Sequence, residues 1–103
     1  MPLHRMITLT TDFGVTEPYV GVMKGVIYSI HSAAQVVEIT NGVQSFDLLD
    51  GALAISQAYG YFPKNTVHVV VVDPGVGGDR RPLLATVGDH LFVAPDNGVL
   101  SLV

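Results

Sequence analysis

The spacing of apolar residues changes several times along the chain, and each change marks an element. Ile7-Thr8-Leu9-Thr10-Thr11 is short and β-prone and runs into Asp12-Phe13-Gly14, which predicts a strand followed by a loop. Val20, Met23, Ile27 and Ile30 recur at helical spacing after Pro18, a residue tolerated in a first helical turn. That pattern predicts a helix ending near His31-Ser32, with Gly21 and Gly25 weakening it but permitting close approach. Val36 to Thr40 predicts a second strand, closed by Asn41-Gly42. Leu48, Leu49, Ala52, Ile55, Ala58 and Tyr59 predict a second helix that stops near Gly60, with Ser45 as its N-cap and Asp47 and Asp50 in the favoured first turn. Val67 to Val72 is almost wholly apolar and lacks alternation, the pattern of a strand buried on both faces of a parallel sheet. Leu83 to Val87 and His90 to Val93 flank Gly88-Asp89, a hairpin signal, and Pro95-Asp96-Asn97-Gly98 is a further turn.

This order predicts an α/β fold in three layers, a mostly parallel sheet with flanking helices and a β-hairpin near the C-terminus. The apolar run Val99 to Val103 reads as the middle of an element, so the expectation is an incomplete domain over residues 1–103. Composition sharpens that expectation. Hydrophobic residues make up 49% of the 103 and charged residues 14%, more apolar surface than a lone domain of this size buries well. An oligomer or a missing remainder is therefore expected.

The formal net charge of -4, without a basic patch, argues against nucleic-acid binding. The chain has no cysteine, which removes disulfides, thiolate metal sites and a cysteine nucleophile. No apolar run approaches the ~20 residues of a membrane helix, and Met1 to Met6 lacks a signal-peptide core, so the expectation is a soluble cytoplasmic protein.

In an open α/β sheet, ligands bind beyond the carboxyl ends of the strands. Three loops belong there: Thr11 to Gly14, Thr40 to Gly42, and Asp73-Pro74-Gly75-Val76-Gly77-Gly78. Asp12 and Asp73 are thus expected in one crevice, where paired carboxylates can bind ribose hydroxyls, hold a hard metal or orient water. Each can equally cap a turn. Arg80 can fold back toward Asp73 or remain with Asp79 at the surface, and spacing leaves both open. The glycine loop is neither a P-loop nor a dinucleotide fingerprint. His4, His31, His68 and His90 show no metal-ligand spacing, and a structural or surface role is expected for each. Phe46, in the loop that enters the second helix, lies on the edge that carries Asp12.

Thr10-Thr11-Asp12-Phe13-Gly14, Tyr19-Val20-Gly21-Val22-Met23-Lys24-Gly25, Val37 to Thr40, Tyr61-Phe62-Pro63, Thr66 to Gly77, Arg80-Arg81 and Ala94 to Ser101 together resemble the S-adenosylmethionine (SAM) hydroxide adenosyltransferase family, whose relatives are the fluorinases and chlorinases. The resemblance covers nearly the whole chain. It implies hydrolysis of SAM to adenosine and L-methionine, with water or hydroxide attacking ribose C5′ in line with the departing sulfur. It implies no metal and no cofactor, SAM being the substrate. Asp12 matches the aspartate that binds the ribose hydroxyls, and Asp73 and Arg80 match the aspartate and arginine around the attacking water. Gly75 and Val76 belong to the matching substrate loop, and Phe46 matches an aromatic residue lining the ribose end of the pocket. The fluorinase has Tyr and Thr where this chain has Asp73 and Val76, and a carboxylate there suits water rather than halide. Asn41 stands where many members have histidine.

The resemblance further implies a homotrimer, a C-terminal β-barrel domain that is absent from these 103 residues, and a catalytic histidine in a segment beyond Val103. The alternative expectation is a SAM- or nucleoside-binding domain without turnover, or an inactive fragment of such an enzyme. A metal-dependent hydrolase built on Asp12 and Asp73 is a more distant option.

Overall fold

The computed structural model describes residues 5–14, 18–44, 47–72 and 81–103. Five strands form one sheet: β1 (Met6–Thr11), β2 (Gln35–Thr40), β3 (Val67–Val71), β4 (Pro82–Val87) and β5 (His90–Pro95). Their spatial order is β2-β1-β3-β5-β4. All neighbours run parallel except β4, which pairs antiparallel with β5 as the outer arm of the hairpin. Gly88 turns that hairpin at φ +56°, a conformation a side chain would strain. The expected α/β architecture is therefore present, hairpin included.

Helix α1 (Tyr19–Ile30) links β1 to β2, and α2 (Leu48–Ala58) links β2 to β3. The first link moves one way across the sheet and the second moves back, so right-handed crossovers put the two helices on opposite faces. Side-chain alternation agrees. His68, Val70 and Phe92 belong to the α2 face, where Val43, Ile55, Val70, Val72, Phe92, Ala94 and Val99 form the core. Glu38, level with Leu9, belongs to the α1 face and meets Lys24 of α1. Leu9 is fully buried there.

Several local expectations change. Val67 to Val71 alternates half-buried and buried instead of being sealed on both faces. Val69 and Val71, with Pro82, Val93 and Pro95, line an open depression of about 290 Å³ on the α1 side of the sheet, beyond the part that α1 covers. In α1, Val20, Met23 and Ile27 turn partly inward as expected, but Ile30, in the last turn, is 83% exposed. The N-cap of α2 is Asp47, whose carboxylate accepts from the Asp50 amide, and Ser45 lies outside the described residues. The helix ends at Ala58 and tightens into a 3-10 turn over Tyr59–Tyr61. The segment after Gly98 closes in tight turns, Ser101 N–H donating to the Gly98 carbonyl and Val103 N–H to that of Leu100. Among the described residues no helix is long and apolar enough to cross a membrane.

Candidate active site

Because the chain winds outward from β1 to β2 and then back to β3, the crossovers diverge between β1 and β3. Ligands of open α/β sheets collect at the carboxyl ends of the strands flanking such a switch. Thr11 pairs with Val71, and the Asp12 amide donates to the Val71 carbonyl at 3.3 Å. Asp12 therefore leaves β1 beside the last stretch of backbone before Asp73. It is half-buried at the rim of the sheet. Of the residues that the sequence singled out, Asp12 is the one the structure places. Phe46, Asp73, Gly75, Val76 and Arg80 lie outside the described residues.

The end of β3 is held from two sides. The Asn97 side chain donates to the Val72 carbonyl at 2.8 Å, and its own oxygen accepts from the Val99 amide at 3.1 Å. From α2, Gly51 lies so close that a Cβ there would sit 3.0 Å from Val72 Cγ2 and 3.3 Å from Val99 Cγ2. Asn97 thus belongs to a turn foreseen from Pro95 to Gly98, but its service to Val72 was not visible in spacing.

The loop carrying Asp12 is held by a polar chain that sequence reasoning missed. The Thr11 hydroxyl donates to Asn41 Oδ1 at 2.8 Å and accepts from the Phe13 amide at 3.2 Å. The Gly14 amide donates to the Asn41 carbonyl at 2.8 Å, with Gly14 in the left-handed region at φ +73°. Asn41 Nδ2 donates to Glu38 Oε1, and Lys24 Nζ bonds Glu38 Oε2. The Lys24 hydrogen bond is the chief reason that the Glu38 carboxyl is held below its ordinary range. Partial burial opposes it, and the Lys24 charge and Asn41 add to the lowering. The Phe13 ring packs against Tyr19 at 5.5 Å, joining the loop to the first turn of α1. The sequence places Asn41 in an edge loop, where many family members have histidine, but its bonds to Thr11 and Glu38 exist only once β1 and β2 are paired.

A second polar cluster lies roughly 13 Å back along β3, four residues from Val72. His68 is fully buried, with Nδ1 2.6 Å from Thr8 Oγ1 and Nε2 3.1 Å from His90 Nδ1. Its ring stacks on Phe92 and meets Tyr59 and Phe62 edge-on. Burial first, and the His90 charge second, lower its pKa from 6.5 to about 4. This is a structural histidine, as the sequence led us to expect.

Comparison with known proteins bears on the same residues. The family model described as the SAM hydroxide adenosyltransferase N-terminal domain matches residues 7–103. A protein of Methanocaldococcus jannaschii named (R)-S-adenosyl-L-methionine hydrolase is 41% identical, over 95% of this chain and 39% of its own. A crystal structure of an uncharacterized conserved protein from Thermotoga maritima superposes with a TM-score of 0.89 at 43% identity, over 94% of this chain and 38% of its own. A fluorinase from an Actinoplanes species is more distant, at 23% identity over 97% of this chain and 41% of its own. The chain spans about two-fifths of the length of these relatives.

Proposed function

The chain belongs to the SAM hydroxide adenosyltransferase N-terminal domain family, and from that premise we propose that it supplies one wall of an active site that hydrolyses SAM to adenosine and L-methionine. The observation that carries this reading is the switch point between β1 and β3, where the Asp12 amide bonds the Val71 carbonyl. The greater identity to a hydrolase than to a fluorinase supports water as the nucleophile.

In the proposed reaction Asp12 accepts hydrogen bonds from the ribose hydroxyls and fixes the sugar. Asp73 and Arg80 orient a water on the face of C5′ opposite sulfur. A bond forms from the water oxygen to C5′ as the C5′–S bond breaks, and its electron pair goes to the methionine sulfur. The water's surplus proton passes to Asp73 or to solvent. The sulfonium leaves as a neutral thioether, so no general acid is needed on that side, and no metal or organic cofactor enters the scheme. Positioning supplies most of the acceleration in such a displacement. Gly75 and Val76 shape the substrate loop, and Phe46 lines the ribose end. The side chain at Asp73 disfavours a halide in the same place by charge repulsion.

We infer a cytoplasmic homotrimer, completed by segments beyond the chain described here. Tyr19, Val22 and Val26 support an assembly, since they form an apolar stripe on α1 that is 53%, 59% and 54% exposed.

The test uses the protein as its gene encodes it, incubated with SAM in ¹⁸O-water, with and without chloride. The expected products are methionine and adenosine carrying ¹⁸O at the 5′ position, with the rate greatly reduced in Asp73→Asn. Binding of SAM without products would leave a binding module, and a chlorinated nucleoside would overturn the assignment of water.

A further inference from the structure

We propose that Asn41, oriented by Glu38 and Lys24, is a positioning residue that sets the Asp12 loop for the ribose. The proposal rests on the reading of Asp12 as the ribose ligand and extends it to residues on β2 and α1.

Hydrogen-bond direction fixes how the Asn41 side chain sits. An ionised carboxylate can only accept. Lys24 keeps Glu38 ionised, so the atom of Asn41 that faces Glu38 must be its NH₂ group. That turns Oδ1 toward Thr11, and the single proton of the Thr11 hydroxyl is then committed to Oδ1. The Thr11 oxygen is left as an acceptor, which the Phe13 amide fills. The Asn41 backbone carbonyl takes the next donor, the Gly14 amide, and the Val43 amide closes back on the Thr11 carbonyl at 3.3 Å. The residues on both sides of Asp12 are thus tied to Asn41, and each bond fixes the sense of the next.

A charge on α1 therefore reaches the loop through four side chains: Lys24, Glu38, Asn41 and Thr11. Glu38→Gln removes the acceptor-only group. A glutamine can face Asn41 with either its oxygen or its NH₂, so the Asn41 amide loses its reason to point one way. The loop then samples two arrangements, and the Asp12 carboxylate is correctly placed for only part of the time.

The variants are Glu38→Gln, Asn41→Asp and Lys24→Arg in the natural-length protein. Two quantities are measured: kcat and KM for SAM, and hydrogen exchange of the Phe13 and Gly14 amides with Val70 as a core reference. Loss of one such hydrogen bond corresponds to roughly a 3- to 10-fold effect. In Glu38→Gln we expect KM to rise by about that factor with kcat little changed, because the lost contact serves bound substrate and transition state alike. Exchange at Phe13 and Gly14 rises while Val70 stays protected. Asn41→Asp sets two carboxylates together and shows a larger effect in the same direction, whereas Lys24→Arg keeps both quantities near their original values.

Unchanged exchange at Phe13 and Gly14 in both Glu38→Gln and Asn41→Asp overturns the proposal. So does faster exchange with an unaltered KM, or a loosening that reaches Val70 equally, which would make the chain merely structural. If the unmodified protein fails to cleave SAM, the functional reading falls, while exchange still decides whether Asn41 sets the loop.

Discussion

Acidifying this protein weakens it through one buried ring, His68. In the folded chain His68 is enclosed by Phe92, Tyr59 and Phe62, and its two nitrogens are occupied by Thr8 and His90. A proton there would place a charge in an apolar layer beside another imidazole, which is why its pKa lies at about 4 against 6.5 for the exposed ring. Between those two values the unfolded chain binds a proton that the folded chain refuses. Stability therefore falls as pH falls through that window and is unaffected by this group above it. Each tenfold difference in proton affinity between the folded and unfolded chain corresponds to about 1.4 kcal/mol, so the whole effect is about 3 kcal/mol, lost completely only below the folded value.

Urea unfolding at a series of pH values from 7.5 to 4.5 reads this directly. Carboxylates titrate in the same range, so the contribution is isolated by difference against Thr8→Val/His68→Phe. That double variant removes both members of the 2.6 Å contact and leaves no buried hydroxyl without its partner. Its decline in stability from pH 7 to 4.5 is expected to be smaller than that of the unmodified protein by about 2 kcal/mol. Parallel pH curves for the two proteins would refute the reasoning. A ring titration of His68 followed by NMR with a midpoint near that of a free histidine would do the same.

Two further outcomes follow from packing. Gly51→Ala gains about 1 kcal/mol of helix propensity, but its Cβ meets Val72 Cγ2 at 3.0 Å and Val99 Cγ2 at 3.3 Å, and both valines are stiff and fully buried. We expect a net loss of about 1 kcal/mol in urea unfolding together with reduced turnover, since Val72 immediately precedes Asp73; a gain in stability would show that the valines yield. Thr10 carries a fully buried hydroxyl with no hydrogen-bond partner among the described residues. Thr10→Val, of the same shape, is expected to be neutral or to raise the melting temperature, and a fall would reveal a partner for that oxygen.

Much of the fold was legible because it depends on local chemistry. β-Branched runs, Asn-Gly and Gly-Asp turns and a period of 3.6 mark strands, turns and helices wherever they end up in space. The hairpin from Pro82 to Pro95 could be read from Leu83 to Val87, Gly88-Asp89 and His90 to Val93, because its partners are adjacent in the chain. Asp12 was legible for the same reason: a strand that ends in Asp-Phe-Gly presents its aspartate at the carboxyl edge whichever strands flank it. Family membership was legible too, since its motifs are contiguous words.

What the words could not say concerns pairs brought together over distance. The run Val67 to Val71 reads as sealed on both sides, but whether a helix lies over Val69 and Val71 depends on where the crossover of α1 falls. It falls over β1 and β2. The spacing predicts Ser45 as the cap with Asp47 in the first turn, but the backbone at Asp47 is extended and lets its carboxylate reach the Asp50 amide, so Asp47 is the cap. His68 and His90 are 22 residues apart and meet through the pairing of β3 with β5. Thr11 and Asn41 are 30 apart, and Lys24 and Glu38 are 14 apart on different elements. Sequence by itself determined the elements, the family and the place of Asp12 at the carboxyl edge of the sheet, because those are properties of neighbours along the chain. Tertiary structure alone decided which polar groups share a proton or a charge, because a hydrogen bond depends on separation in space and on direction, and the chain's order specifies neither.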